Sequence, residues 1–322
     1  MSSHARVALM TGNRNRLRLR PLSVALLLAG FVPVSPAFAT DPSPCQDLAI
    51  KLDQIKPQIT SVETNQALFA SAANGCNELA RRLLADGASL EARDRLGAMP
   101  LAHAARAGST ALVDLFLQHG APIDARNLAG STALYVAAEN GRSDAVDLLL
   151  RKGADPNLPG RSGVTPLAAA AYKGNEAVVA LLLARRADPV LIDTTGKSAM
   201  IYAAARGFPE IVRRLLDAGV APDARYGNDL TALMWAAGHE EGVDARAVEA
   251  IIRQLLDRGA SIDAADNRGR TALIIAAERG DVAAVGVLLE RGADTVWRDK
   301  QGKTAFDLAA SAPIRARLSA RP

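Results

Sequence analysis

The segment Gly97-Ala-Met-Pro-Leu-Ala-His-Ala-Ala-Arg-Ala-Gly108 returns as Gly130-Ser-Thr-Ala-Leu-Tyr-Val-Ala-Ala-Glu-Asn-Gly141. It returns again as Gly163-Val-Thr-Pro-Leu-Ala-Ala-Ala-Ala-Tyr-Lys-Gly174 and Gly196-Lys-Ser-Ala-Met-Ile-Tyr-Ala-Ala-Ala-Arg-Gly207. The Thr-like position falls at Gln66, Met99, Thr132, Thr165, Ser198, Thr231, Thr271 and Thr304, a spacing of 33 residues broken once by 40. A fixed period of this length marks a stacked array, in which each unit buries its apolar face only against its neighbours.

Each unit reads as two short helices and a turn. The first helix carries paired Ala where helices must approach closely and ends at a Gly such as Gly108, Gly141, Gly174, Gly207 or Gly280, the residue best suited to a left-handed C-cap. The second has Val and paired Leu on one face, as at Val146, Leu149 and Leu150 or Val285, Leu288 and Leu289, and also ends at Gly, except where Arg186 stands instead. Polar segments such as Asp124-Ala-Arg-Asn-Leu-Ala-Gly130 follow and fit projecting hairpins. Hydrophobic residues make up 49% of the chain but aromatics only 4%, so the core is built from Ala, Leu, Val and Ile, which suits packed helices better than a β-sandwich.

These residues resemble the ankyrin repeat, whose pattern runs G-x-T-P-L-x-x-A-A-x-x-G, then a Val-x-x-Leu-Leu helix, then G-A-D and a hairpin. Gly163-Val-Thr-Pro-Leu167 and Gly153-Ala-Asp-Pro-Asn157 lie close to it, and the resemblance covers about residues 65–310. It implies an all-α solenoid of stacked helix-turn-helix units with projecting hairpin loops, and a protein partner held on the concave side. One departure stands out. The family's His after the Leu of T-P-L is replaced by Ala102, Tyr135, Ala168, Ile201, Met234 and Ile274. The array is therefore expected to rely on apolar packing without that polar ladder.

Residues 1–39 read as a secretory signal peptide. Arg6, Arg14, Arg16, Arg18 and Arg20 precede an apolar stretch from Leu22 to about Val34, and Ala37-Phe38-Ala39 offers a cleavage site. The alternative is a membrane anchor, but the run is short and Pro33 and Pro36 interrupt its end. No Arg-Arg pair precedes it, which points to the general export route. Loss of five arginines takes the 38 basic residues to 33 against 34 acidic, a net charge of −1, so the basic balance is no argument for nucleic acid. An exported chain, in the periplasm or secreted beyond it, meets an oxidising compartment. Its two cysteines, Cys45 and Cys76, are accordingly expected as a disulfide rather than two free thiols. Residues 40–64 read as a capping segment, with Leu48, Leu52 and Ile55 at helical spacing, and 65–322 as an array of about eight units, the last a C-terminal cap.

Catalytic signatures are absent: there is no G-x-S-x-G elbow, P-loop or dinucleotide fingerprint, and no cofactor or metal is expected. His103 reads as a structural histidine and His119 as a helix-end residue. The long spacing places seven extra residues in 238–246, a loop with a lengthened outer helix; His239, Glu240, Glu241 and Asp244 there could alternatively hold a cation. Partner contacts are expected at hairpin-tip residues Arg126, Arg225, Tyr226 and Trp297 and inner-helix residues Arg106, Tyr172, Lys173, Arg206 and Arg279, because Tyr, Trp and Arg dominate binding hot spots. Tyr202 and Trp235 are expected to face the core. The many arginines suggest an acidic patch on the partner. The reading is of a monomeric interaction scaffold outside the cytoplasm; the alternatives are a structural or assembly component of the cell envelope, or an activity in the inserted loop.

Overall fold

The computed structural model of the chain describes residues 43–55 and 59–320, so the expected leader, 1–39, lies outside the described residues. A lone helix, α1 (Pro44–Ile55), precedes eight helix pairs. The inner members are α2 (Ser61–Asn74), α4 (Pro100–Ala107), α6 (Ala133–Glu139), α8 (Pro166–Lys173), α10 (Ala199–Arg206), α12 (Ala232–Ala237), α14 (Ala272–Arg279) and α16 (Ala305–Leu308). The outer members are α3 (Asn77–Ala85), α5 (Thr110–Gln118), α7 (Ser143–Arg151), α9 (Glu176–Ala184), α11 (Pro209–Asp217), α13 (Ala245–Asp257), α15 (Val282–Glu290) and α17 (Ala312–Ser319). Inner helices stack on inner and outer on outer, so units 1 to 8 form two parallel layers with a hairpin leaving the end of each outer helix of units 1 to 7. No strand longer than an isolated bridge occurs among the described residues.

The repeated Thr explains where the inner helices start. The hydroxyls of Thr132 and Thr165 each accept the backbone N–H three residues on, at 3.1 Å, and Thr231, Thr271 and Thr304 do the same. Each such cap stabilises its helix by about 1 kcal/mol. At the other end, Gly174 has φ 75°, and a Cβ there would collide with the Phe208 ring. Arg186 holds the left-handed conformation (φ 62°) that glycine takes in the other outer-helix turns, a placement that strains an L-side chain.

The core runs unbroken through the array. Leu134, Leu149, Leu167, Leu182, Met200, Leu215 and Leu233 are fully buried, and the paired alanines Ala137 and Ala138, Ala170 and Ala171, Ala203 and Ala204 have no exposed surface. Small side chains bring the two layers close, while each Leu contributes roughly 1.5–3 kcal/mol by leaving water.

Both ends are capped. Leu52 of α1 is buried, with Leu48, Ala49 and Ile59 packed at its edge, and a disulfide joins Cys45 to Cys76 in the turn between α2 and α3. The first inner helix starts at Ser61, with Thr60 and Glu63 in a reciprocal capping box. At the C-terminus Ile314 and Leu318 are buried and the Arg317 guanidinium donates to the Val282 carbonyl at 3.2 Å.

The expected lack of polar ties is corrected by the hairpins. Arg93 donates to the carbonyls of Gly97 and Arg126, Arg126 to Gly130 and Pro159, and Arg225 to Asp229 and Ala265, each strapping its own hairpin and the next. A second ladder runs parallel: carboxylate or carboxamide oxygens of Asp124, Asn157, Asp223 and Asp263 accept the backbone N–H of Asp155, Asp188, Ser261 and Asp294 in the following hairpin. The ladder therefore moved from the helices to the loops.

Candidate partner-binding surface

Four residues after the Thr-like positions of units 2 to 7 stand His103, Val136, Ala169, Tyr202, Trp235 and Ile275, of which His103, Tyr202 and Trp235 are half-buried and the others buried. In units 4 to 6 the inner helices carry the aromatics Tyr172, Tyr202 and Trp235. Tyr172 and Tyr202 meet edge to face with centroids 5.5 Å apart, and both are half-buried, as is Trp235. Cations lie over the rings: Arg206 at 4.5 Å and Lys173 at 5.7 Å from Tyr172, Lys197 at 5.8 Å from Tyr202 and 5.3 Å from Trp235. Tyr202 and Trp235 pack against the core on one side, as expected, and keep part of each ring on the open face. Their bulk is tolerated on the open face because the neighbouring Ala203, Ala204, Ala236 and Ala237 fill the interior.

Asp193 fixes this cluster to the hairpin of unit 4. Its carboxylate is buried and accepts the Tyr202 hydroxyl, the Thr195 hydroxyl and N–H at 2.7 Å, and the Lys197 N–H at 3.1 Å. Burial pushes the Asp193 carboxyl up, but those hydrogen bonds outweigh it and hold it below the usual carboxylate range. Burial and the adjacent carboxylate push the Tyr202 phenol above its ordinary value, so it stays a neutral donor.

The expected contact residues divide. Tyr172, Lys173 and Arg206 come together in the cluster, with Arg206 also paired to Glu240 at 2.8 Å. Arg106 is exposed on α4, two units before the near end of the cluster. Arg126 and Arg225 are exposed, and part of each guanidinium is engaged by the hairpin carbonyls described above. Tyr226 is half-buried against the core with its hydroxyl sealed from solvent beside Ser198, and burial pushes the phenol above its ordinary value, so it stays neutral. Arg279 donates to the His239 carbonyl at 2.9 Å, and the Trp297 indole to the Gly269 carbonyl at 3.0 Å, leaving only the face of its ring on the surface.

The insertion forms the expected loop, largely exposed, and lengthens the outer helix α13 to 13 residues; part of the loop is tied to its neighbours. Glu240 N–H donates to Ala205 O at 2.9 Å, Val243 covers Gly207, and the His239 ring lies between the Glu240 carbonyl (2.7 Å) and the Asp281 carboxylate (2.8 Å). Asp244 caps α13 through Arg246 N–H. Of the residues offered for a cation site, His239 and Glu240 are thus engaged in clamping units 5 to 7 and Asp244 in capping α13, while Glu241 is exposed. Among the described residues no group of three or more His, Cys, Asp or Glu is gathered to hold a metal. His103 bonds Asp94 at 2.9 Å beside Phe69, and His119 reaches Leu115 O at 2.9 Å, both structural placements.

The family described as "Ankyrin repeats (3 copies)" matches residues 67–160, 124–193, 167–245 and 245–316, and the chain belongs to it. None of the curated proteins matches the chain. Ankyrin repeats generally mediate protein–protein interaction and are typically non-enzymatic scaffolds. Among the described residues no helix is long and apolar enough to cross a membrane.

Proposed function

We propose that this protein is an interaction scaffold that works outside the cytoplasm and holds a partner protein on its inner-helix face. The observation that supports this most is the cluster of Tyr172, Tyr202 and Trp235 with Lys173, Lys197 and Arg206 on their rings. Half-exposed aromatics on a rigid frame lose little side-chain entropy when covered, and cations that already sit on π faces are partly desolvated. An array whose units are held by hairpin ladders and one continuous core presents that surface preorganised. Export is supported by the leader pattern and fits the Cys45–Cys76 disulfide, which needs an oxidising compartment to persist. The partner is expected to meet the cations with acidic groups, and the scaffold to act as a monomer.

The experiment is a pull-down from the envelope fraction with the mature chain, comparing wild type with the triple variant Tyr172→Ala, Tyr202→Ala, Trp235→Ala. Capture of a defined protein that the triple variant loses, while its helical signal is retained, is the expected outcome. Equal capture by both would remove the inner face from consideration.

A further inference from the structure

The seam between units 4 and 5 lacks most of the polar ties seen elsewhere. The hairpin-ladder position filled by Asp124, Asn157, Asp223 and Asp263 is Val190, and the strap position filled by Arg93, Arg126 and Arg225 is Ile192, as it is Pro159 in unit 3 and Ala265 in unit 6. Outer helices of other units are bridged by Lys152–Asp114, Arg185–Asp147, Arg258–Asp217 and Arg291–Asp257, but the corresponding residues of α9 and α11 are Ala180, Ala184 and Ala218. After the inner helices, Arg142 and Asn175 donate to carbonyls of the preceding unit, whereas Phe208 only packs on Gly174. Among the described residues one backbone hydrogen bond, Gly227 N–H to Gly196 O at 3.2 Å, joins the two hairpins.

Stability alone does not explain these replacements, because the apolar residues that displaced the polar ones are not buried. Val190 is 56% and Ile192 57% exposed, with Leu191 and half-buried Leu158 beside them. Asp193, next to Ile192, ties this strip directly to Tyr202. The charge at the site is one-sided. Lys173, Lys197 and Arg161 have no carboxylate partner among the described residues, while Asp193 and Glu240 are satisfied internally. The surface offers cationic groups, π faces and aliphatic side chains.

We infer that the hairpin of unit 4 and the aromatic face beside it form one docking site for an extended acidic segment of another protein, one that carries a large apolar side chain next to its carboxylates. The apolar side chain covers Val190 and Ile192 and the carboxylates meet Lys197 and its neighbours. This rests on the reading of the inner face as a protein-binding surface and adds where the ligand lies and what it is made of.

The test uses a phage-displayed library of random twelve-residue peptides panned on the mature chain, with enriched peptides measured by fluorescence anisotropy. Two variants separate binding from folding. Val190→Asp restores the ladder acceptor for the Ala221 N–H, so it should raise the denaturation midpoint while weakening binding at least tenfold, since it adds a like charge. Lys197→Glu should also weaken binding tenfold or more, and affinity should fall as salt rises from 50 to 300 mM. Peptides that are basic, or acidic peptides indifferent to both variants but lost in the triple aromatic variant, would overturn this site and leave the inner-face reading standing. Peptides indifferent to all three variants, or no enrichment, would overturn both.

Discussion

Opening the Cys45–Cys76 bond is expected to free α1 and weaken the whole array. The bond spans a sequence separation of 31 residues. Closing a loop of that size removes on the order of 12 cal/mol/K of entropy from the unfolded chain, about 3.7 kcal/mol at 25 °C. Without it, little holds α1. Leu52 contributes roughly 1.5–3 kcal/mol by its burial. The Asp53–Arg82 pair at 3.2 Å is largely exposed and is worth about 1 kcal/mol at most. A helix of 12 residues is itself at the length where isolated helices are marginal. Undocking of α1 therefore precedes loss of the other units. At roughly 2 °C per kcal/mol for a chain of this size, the melting temperature should fall by about 7 °C on reduction or in Cys45→Ser. That variant is preferred because Cys76 is buried and a serine there would bury an unpaired hydroxyl. Amide exchange should quicken first in α1 and α3 while units 3 to 8 stay protected. An unchanged melting temperature together with slow exchange in α1 would refute both the entropy argument and the role of α1 as a cap.

Arg126→Ala removes two carbonyl straps and should cost about 1–2 kcal/mol in urea unfolding, yet leave partner capture intact; lost capture with normal stability would return Arg126 to the binding surface. The net lowering of the Asp193 carboxyl means the folded state favours its charged form. Its contribution is present above the unfolded value near 4 and is lost as pH falls through the lower folded value. Asp193→Asn should flatten the acid limb of stability below about pH 4, because Asn127 shows that a carboxamide can accept the same two backbone N–H groups; an unaltered acid limb would contradict this.

The fold was legible because its signal is repeated. Thr at the N-cap, Gly at the turn and Leu in the groove each act locally, so their spacing translates directly into helices and boundaries. The ties between hairpins were not legible, because Arg126 looks like any exposed arginine until the next loop supplies Pro159 O. The same holds for Asp193, whose hold on Tyr202 crosses from a loop to the following helix. Tyr202 and Trp235 face the core as their place in the helix implied, but alanines on either side leave part of each ring on the open face. A signal did exist for the seam of units 4 and 5: aligning the repeats with one another shows Val190, Ala218 and Phe208 at positions that are polar in most other units. The register shift at 238–246 hid its own role, since the clamp depends on Asp281 from the next unit.

The central claim is that the inner face at units 4 to 6 carries the partner. Site-specific photo-crosslinking in living cells tests it most directly, with a photoreactive residue in place of Lys173 on the inner face or Arg151 on the outer helix α7, both exposed. A discrete adduct with one protein from position 173, absent from position 151, is the result this account predicts. Adducts of equal yield from both positions, or from 151 alone, would contradict it.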